Sequence, residues 1–372
     1  MIGKYLRFSL LMLSIGTLET QAQSIHVSPK GSDKNPGSKE KPVASLTAAR
    51  TLVRNNKKTK GLPKGGLNVI IHEGIYDLHQ TFQLSEEDAG KKDAPITWSA
   101  AAGEKVNITG GKTIQPGKFS KVTDKGILNR LEKNAIGNVW QVNLRAEGIN
   151  NLGNHRQYGH GLPVVPATLE LFFNGEPMTL SRYPNKGAMK IGKVADPGSV
   201  PRTGDKSNRG ALFAYTDSRH KKWVGQNNIW IQGTLNYGFG DDYNPIDFID
   251  TVAGQVKLKK PHLYGVGSGK DFQEYVAINI LEELDSPGEW YIDETSGILY
   301  FWPPSDMKGA LVQVSMLEDP IIALEGTEHV TLKGLTIEAG RGIGIYVERS
   351  NHTLVAGCTV RNVGTSGIFM GH

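Results

Sequence analysis

Pro320 to Gly342 reads PIIALEGTEHVTLKGLTIEAGRG, and Ile343 to Thr365 reads IGIYVERSNHTLVAGCTVRNVGT. A step of 23 residues carries Leu324 onto Val347, His329 onto His352, Gly334 onto Gly357, Thr336 onto Thr359 and Ile337 onto Val360. Within each unit, apolar residues alternate with polar ones in short runs, Leu335 and Ile337, then Ile345 and Val347. That is strand periodicity, broken by turns and lacking a helical period. A unit of this length cannot bury its apolar side alone, so copies must stack.

The predicted fold is all-β: a right-handed parallel β-helix, one coil per repeat, with equivalent side chains in ladders along the axis. Leu332, Leu335 and Ile337 then point inward, with Val355, Cys358 and Val360 on the next rung. Lys333, Glu338, Tyr346, Glu348, Arg361 and Phe369 point outward, where a stacked sheet presents either a binding face or ordinary solvated polarity.

The 45 glycines suit a chain made of turns between short strands. Lys4 and Arg7 precede the apolar run Phe8 to Leu18, and Thr20-Gln21-Ala22 supplies small residues, so residues 1–22 read as an export signal cleaved near Ala22. Localisation is expected to be secreted or periplasmic in a bacterium. The run is too short for a bilayer, which needs about 20 residues, and no later segment reads as a membrane span. Cys358 is the only cysteine, so no internal disulfide can form and the stacked core must stabilise the chain. The formal charge of +5 is spread along the sequence. With no arginine-aromatic module, Walker loop or dinucleotide fingerprint, nucleic acid is not an expected partner.

Ser45 is placed to cap a helix over Leu46 to Asn55 whose Leu46, Ala49, Leu52 and Val53 share one face, and this helix is expected to cover the first coil. Residues 68–71, 81–84 and 95–98 read as the first strands, with Gly74-Ile75-Tyr76 as a corner. The stretch from Lys118 to Pro304 holds five of the six tryptophans and nine of the twelve tyrosines, and loses the 23-residue register. Leu169 to Phe173, Asn174-Gly175 and Met178 to Arg182 read as a hairpin, because Asn-Gly suits a type I′ turn. Trp290 to Asp293 and Ile298 to Trp302 read as another. The expected organisation is an export signal at 1–22, cap and first coils at 23–117, an inserted antiparallel β domain at 118–305 and returning coils at 306–372.

The opening His26-Val27-Ser28-Pro29-Lys30-Gly31-Ser32-Asp33 and Glu73-Gly74-Ile75-Tyr76 resemble the start of many secreted bacterial β-helix proteins of the pectin-lyase type. Leu171-Phe172-Phe173-Asn174-Gly175-Glu176-Pro177-Met178 with Ser181-Arg182-Tyr183-Pro184-Asn185, and Gly288-Glu289-Trp290-Tyr291-Ile292-Asp293 with Gly297 to Pro304, are more particular. Together they resemble glycoside hydrolase family 141, whose members act on fucosylated pectin or on xylan. The resemblance implies a polysaccharide or oligosaccharide partner. It also implies further coils beyond His372 that carry the catalytic carboxylates, so that this chain would be inactive and poorly soluble alone.

Glycoside hydrolysis takes two carboxyl groups, one protonated and one ionised, across the scissile bond. Glu325 and Glu348 are 23 apart and should stack about 4.8 Å apart on adjacent rungs, either as a catalytic pair or as a surface ladder. Glu338, Arg341, Arg361 and His372 are candidates for contacting sugar on the outward face. Asp241 and Asp242 are weak metal candidates, and no cofactor is expected unless the chain is a polysaccharide lyase, which would use calcium. His155, Arg156, Tyr158 and His160 form a polar-aromatic loop suited to sugar, though a linker would look similar. A non-catalytic glycan-binding surface protein is the third reading.

Overall fold

A computed structural model describes residues 23–153 and 155–371; the segment read as an export signal and His372 lie outside them. Three parallel sheets form the solenoid. One contains Gln23–Val27, Leu67–Ile71, Ile96–Ala100, Val330–Lys333 and Leu354–Ala356; the second Gly74–Asp77, Val106–Thr109, Thr336–Gly340 and Thr359–Val363; the third Phe82–Leu84, Ile322–Glu325, Ile345–Glu348 and Ile368–Met370. This is the expected right-handed parallel β-helix. Its registers follow the 23-residue step: Leu324 pairs with Val347, Leu332 with Val355, and Ile337 with Val360. At the turn, the rings of His329 and His352 stack with centroids 4.5 Å apart and planes 4° apart.

The interior is a set of ladders. Val69, Trp98, Leu332 and Val355 occupy successive rungs of the first sheet, and Tyr76, Ile108, Ile337 and Val360 those of the second. Each fully buried aliphatic side chain contributes roughly 1.5–3 kcal/mol, which explains why the coils need no disulfide. The helix runs from Leu46 to Lys60, longer than expected, with Ser45 Oγ accepting the Ala48 N–H at 3.1 Å. Leu46, Ala49 and Val53 close the first coil.

Gly74–Asp77 is a strand of the second sheet, not the corner expected. Gly74 is required by close approach, since a Cβ there would lie 2.5 Å from the Pro29 ring; once past it the chain stays extended.

After Gly110 the chain leaves the solenoid and returns at Leu317, whose N–H donates to Gly110 O at 2.8 Å. The returning strands add to the coil that was left behind: Ile322 pairs with Phe82, Val330 with Ile96 and Thr336 with Asn107. In between lie two antiparallel units. In the first, Gly111–Ile114, Val312–Ser315 and Leu171–Phe173 form one sheet, facing the hairpin Glu289–Asp293/Ile298–Phe301 and its neighbour Trp140–Asn143. The Asn174-Gly175 turn has both residues at positive φ, 53° and 82°, as a type I′ turn demands. The hairpin it closes is shorter than expected, however: only Phe172 and Phe173 pair across it, and Thr179–Leu180 then leaves to run parallel to Glu289–Asp293.

The second unit is a closed ring of strands. Trp230–Thr234 pairs with both Asp241–Asp250 and Glu274–Ile278, so the seven-stranded sheet curls into a barrel with a core of its own. Closure removes the unpaired edges an open sheet would expose. Among the described residues no helix is long and apolar enough to cross a membrane.

Candidate functional site

The first inserted unit folds back onto the outward face of the second solenoid sheet, and this decides the fate of the candidates there. Glu338 does point away from the coil axis, yet it is only 1% exposed, holding Arg361 Nε at 2.8 Å and Asn107 Nδ2 at 2.5 Å. Next to it, Asn362 donates to Gly175 O at 2.7 Å, which ties the Asn-Gly turn to the solenoid. Arg341 is fully buried, with Nε donating to Ser315 O at 3.0 Å, Nη2 to Asn151 O at 2.9 Å and Nη1 3.6 Å from Glu318. Expected as sugar contacts, Glu338 and Arg341 instead lie buried in the seam between solenoid and insert, whereas Arg361 is paired with Glu338 but stays exposed. The repeat locates their face, but a distant segment covers it.

Glu325 and Glu348 occupy paired positions on adjacent rungs. They are half-buried and lie away from the cleft described next. Asp241 and Asp242 alternate along one strand, so Asp241 is exposed whereas Asp242 is 2% exposed and turned inward. Successive side chains on opposite faces cannot converge on one cation, which removes the calcium pair. Asp242 Oδ2 accepts from Gln157 Nε2 at 2.9 Å and Asn244 Nδ2 at 3.1 Å, and Oδ1 has no partner among the described residues. Burial pushes its carboxyl up to about 7. Elsewhere Glu328, His329 and His352 bring ligand atoms within 4.8 Å of one another, but the two imidazoles lie parallel, so their lone pairs do not converge.

A cleft opens where the segment 155–170 runs between the insert and the last solenoid coil. It has two lobes of about 260 and 270 Å³ that share Arg156, Tyr158, Ala167, Thr168 and Glu170. The inner lobe is lined by Trp230, Trp290, Tyr243 and Arg182, and the outer one reaches Gly364 and Thr365 of the solenoid. Gly364 is obligatory, since a Cβ would lie 2.2 Å from Arg341 O and 2.5 Å from Ala167 Cβ.

Glu170 stands between the lobes. Leu169 and Leu171 are buried in the insert core, so alternation turns Glu170 the other way. Its backbone is held by Ser315, whose Oγ accepts the Glu170 N–H at 2.9 Å and whose own N–H donates to Glu170 O at 3.0 Å. The Oε2 atom is sealed from solvent with no hydrogen-bond partner among the described residues. Burial raises this carboxyl above the usual range, and the Arg341 charge opposes the shift. Around it, Tyr158 and Tyr243 stack at 4.0 Å, and His155, fixed 2.7 Å from Glu294 Oε1, stacks on Trp230 at 5.4 Å. Arg156 Nη2 lies 3.9 Å from Glu318 Oε2. The arrangement offers ring faces, guanidinium donors and a carboxyl whose proton burial holds more tightly than that of an exposed glutamate.

The loop His155 to His160 thus borders the cleft. Sequence reading passed over Glu170, Arg182, Trp230 and Trp290. Glu170 carried a faint signal, a carboxylate next to an apolar run that alternates into a core, but the same pattern describes any solvated strand.

No family model matches the chain. The uncharacterized protein YwoF of Bacillus subtilis (strain 168) is 37% identical over 92 residues, which is 25% of this chain and 17% of that protein. A solved structure described as a glycoside hydrolase is similar with a TM-score of 0.71 at 16% identity, covering 93% of this chain and 63% of that one. The chain therefore spans less than two thirds of both relatives, and at this identity the likeness is one of fold. A structure of XylC with xylose covers 88% of this chain and 40% of its own, at 15% identity and a TM-score of 0.38, too low for argument.

Proposed function

We infer that the chain is an exported, carbohydrate-active β-helix protein of the glycoside hydrolase type. In this reading it binds plant-type polysaccharide in the cleft between solenoid and insert. The observation that carries this is the cleft itself: pyranose rings present apolar faces and equatorial hydroxyls, and the cleft offers Trp and Tyr rings beside Arg156, Arg182 and Glu170. Glu170 is the group placed to donate a proton or hydrogen bond to a glycosidic or hydroxyl oxygen, because it lines both lobes and burial raises its carboxyl above the range of an exposed glutamate. Hydrolysis needs a second carboxylate across the bond, and the seam residue Glu338 is engaged with Arg361. The lyase reading loses its cation ligands with the divergence of Asp241 and Asp242.

Calorimetric titration with xylan and pectic oligosaccharides tests the reading. Saturable binding is expected, weakening as pH rises through the elevated Glu170 value, because the ionised form no longer donates. In Glu170→Gln, which donates at every pH, that dependence should vanish while binding persists. If the wild-type chain binds neither glycan, the assignment is wrong.

A further inference from the structure

The barrel carries a second aromatic feature outside the cleft. Between Trp230–Thr234 and Asp241–Asp250 the chain reads Leu235-Asn236-Tyr237-Gly238-Phe239-Gly240, and it leaves Tyr237 47% and Phe239 62% exposed, with Phe272 beside them at 42%. Alternation of ring and glycine puts the two rings together, centroids 5.5 Å apart and planes 6° apart. Gly238 makes room for the Phe272 side chain, and Gly240 lies at ordinary contact distance from Tyr264. A Cβ on Gly238 would lie 3.3 Å from Phe272 Cβ and Cγ, and one on Gly240 3.6 Å from the Tyr264 ring. Tyr264 in turn meets Tyr237 and Phe239 edge-on at 5.2 and 5.8 Å.

The backbone beneath is pinned. Gly240 N–H donates to Tyr237 O at 2.9 Å, Asn236 Nδ2 to Tyr264 O at 2.7 Å, and Gln273 Nε2 to Asn236 O at 3.0 Å. Buried His262 lies with Nδ1 2.8 Å from Gly265 O and Nε2 3.3 Å from Gly240 O. These rings are therefore held outward by a rigid frame, although burying one would gain roughly 1.5–3 kcal/mol. An exposed apolar cluster kept in this way marks a contact surface.

Its position identifies the occupant. The segment Tyr158 to His160 lies antiparallel to Asp241 to Tyr243, with Tyr243 N–H donating to Tyr158 O at 2.9 Å and His160 N–H to Asp241 O at 3.0 Å. Tyr158 and His160 thus project from one side of this ribbon, about 7 Å apart. Tyr158 stacks on Tyr243 in the cleft, and His160 meets the Phe239 ring at 5.2 Å. Rings accordingly line one side of the ribbon from the Tyr158–Tyr243 stack of the Glu170 cleft to His160, Phe239 and Tyr237, with the exposed Asp241 carboxylate and the His160 imidazole alongside as partners for hydroxyls. Three partly exposed rings offer roughly 300 Å², short of the ~500 Å² that each partner brings to even a small stable protein interface.

We propose that Tyr237 and Phe239 form a distal glycan subsite, which holds pyranose units of a chain whose other end lies in the Glu170 cleft. The proposal rests on the carbohydrate reading of that cleft and makes the natural ligand a polymer, not a mono- or disaccharide.

The test compares a xylan or pectic hexasaccharide with the matching disaccharide by calorimetry on the whole chain. The double variant Tyr237→Ala/Phe239→Ala should lose about ten-fold or more in affinity for the hexasaccharide and nothing for the disaccharide, while Phe239→Tyr retains wild-type behaviour. An unchanged urea midpoint shows that the barrel is intact. Hexasaccharide affinity unaffected by the double variant overturns the subsite and leaves the cleft standing, as does equal loss on both lengths. Absence of binding to either length by the wild type sinks the cleft reading, and the subsite with it. Self-association of the wild type that the double variant abolishes would assign the rings to a second copy of the chain and overturn the proposal.

Discussion

Asp242 shows how one buried group can set the pH response of the fold. Its carboxyl titrates near 7 in the folded chain, against 3.8 for an ordinary aspartate. Between these values the unfolded chain sheds the proton while the folded chain keeps it, so stability falls as pH rises from about 4 to about 7 and is not penalised below that window. Glu289, 4% exposed and also pushed by burial to about 7, acts in the same direction. Asp242→Asn keeps an oxygen for Gln157 and Asn244 but cannot ionise. Its unfolding free energy from urea denaturation should match wild type at pH 4 and exceed it at pH 8, by on the order of a few kcal/mol. An equal difference at both pH values would show that Asp242 is not the group responsible. The Arg219 pair is the opposite case. Glu283 is completely buried and holds Arg219 at 2.7 and 2.8 Å and Trp223 Nε1 at 2.7 Å. Arg219→Ala strands that carboxylate and should cost about 3–5 kcal/mol in chemical denaturation.

At the scale of strands and turns, the ladders predict sharply different costs for neighbouring leucines. Leu332 is 1% exposed between Trp98 and Val355, whereas Leu354, one residue before Val355, is 54% exposed. Leu332→Ala should destabilise by about 2–5 kcal/mol and Leu354→Ala by less than about 0.5, a contrast measurable from urea midpoints. This register was legible beforehand because parallel pairing is one-for-one: a 23-residue repeat fixes which side chain stacks on which, as His329 on His352 confirms. The Asn174-Gly175 turn and the Trp290–Phe301 pairing were legible for a similar reason, since turn chemistry and alternation are local. What hid was non-local. Nothing near Glu338 in sequence says that a turn at Gly175 will cover it, and nothing near Glu170 says that Arg341 and Ser315 will sit behind it. Candidate residues chosen as outward-facing therefore became seam, and the cleft formed from a loop and a strand end that carried only weak patterns.

Across the whole molecule, the solenoid and the insert are joined through few but buried contacts, with Arg341 central among them. Replacing it by alanine leaves the carbonyls of Asn151 and Ser315 without their donors, a loss of about 1–3 kcal/mol for each buried unsatisfied group. It also removes the charge that opposes the upward shift of Glu170. Differential scanning calorimetry of Arg341→Ala should resolve two transitions, solenoid and insert melting apart; a single transition at the wild-type temperature would show that the seam does not couple them. The return of the chain onto the coil it left has a consequence in time as well. Asn107 and its hydrogen-bond partner Glu338 are 231 residues apart in sequence. At 5–20 residues per second of synthesis, the open rung of Phe82, Ile96 and Val106 waits roughly ten to fifty seconds for the strands that will cover it. During that interval it is a bare strand edge, and keeping it unpaired falls to whatever accompanies the nascent chain.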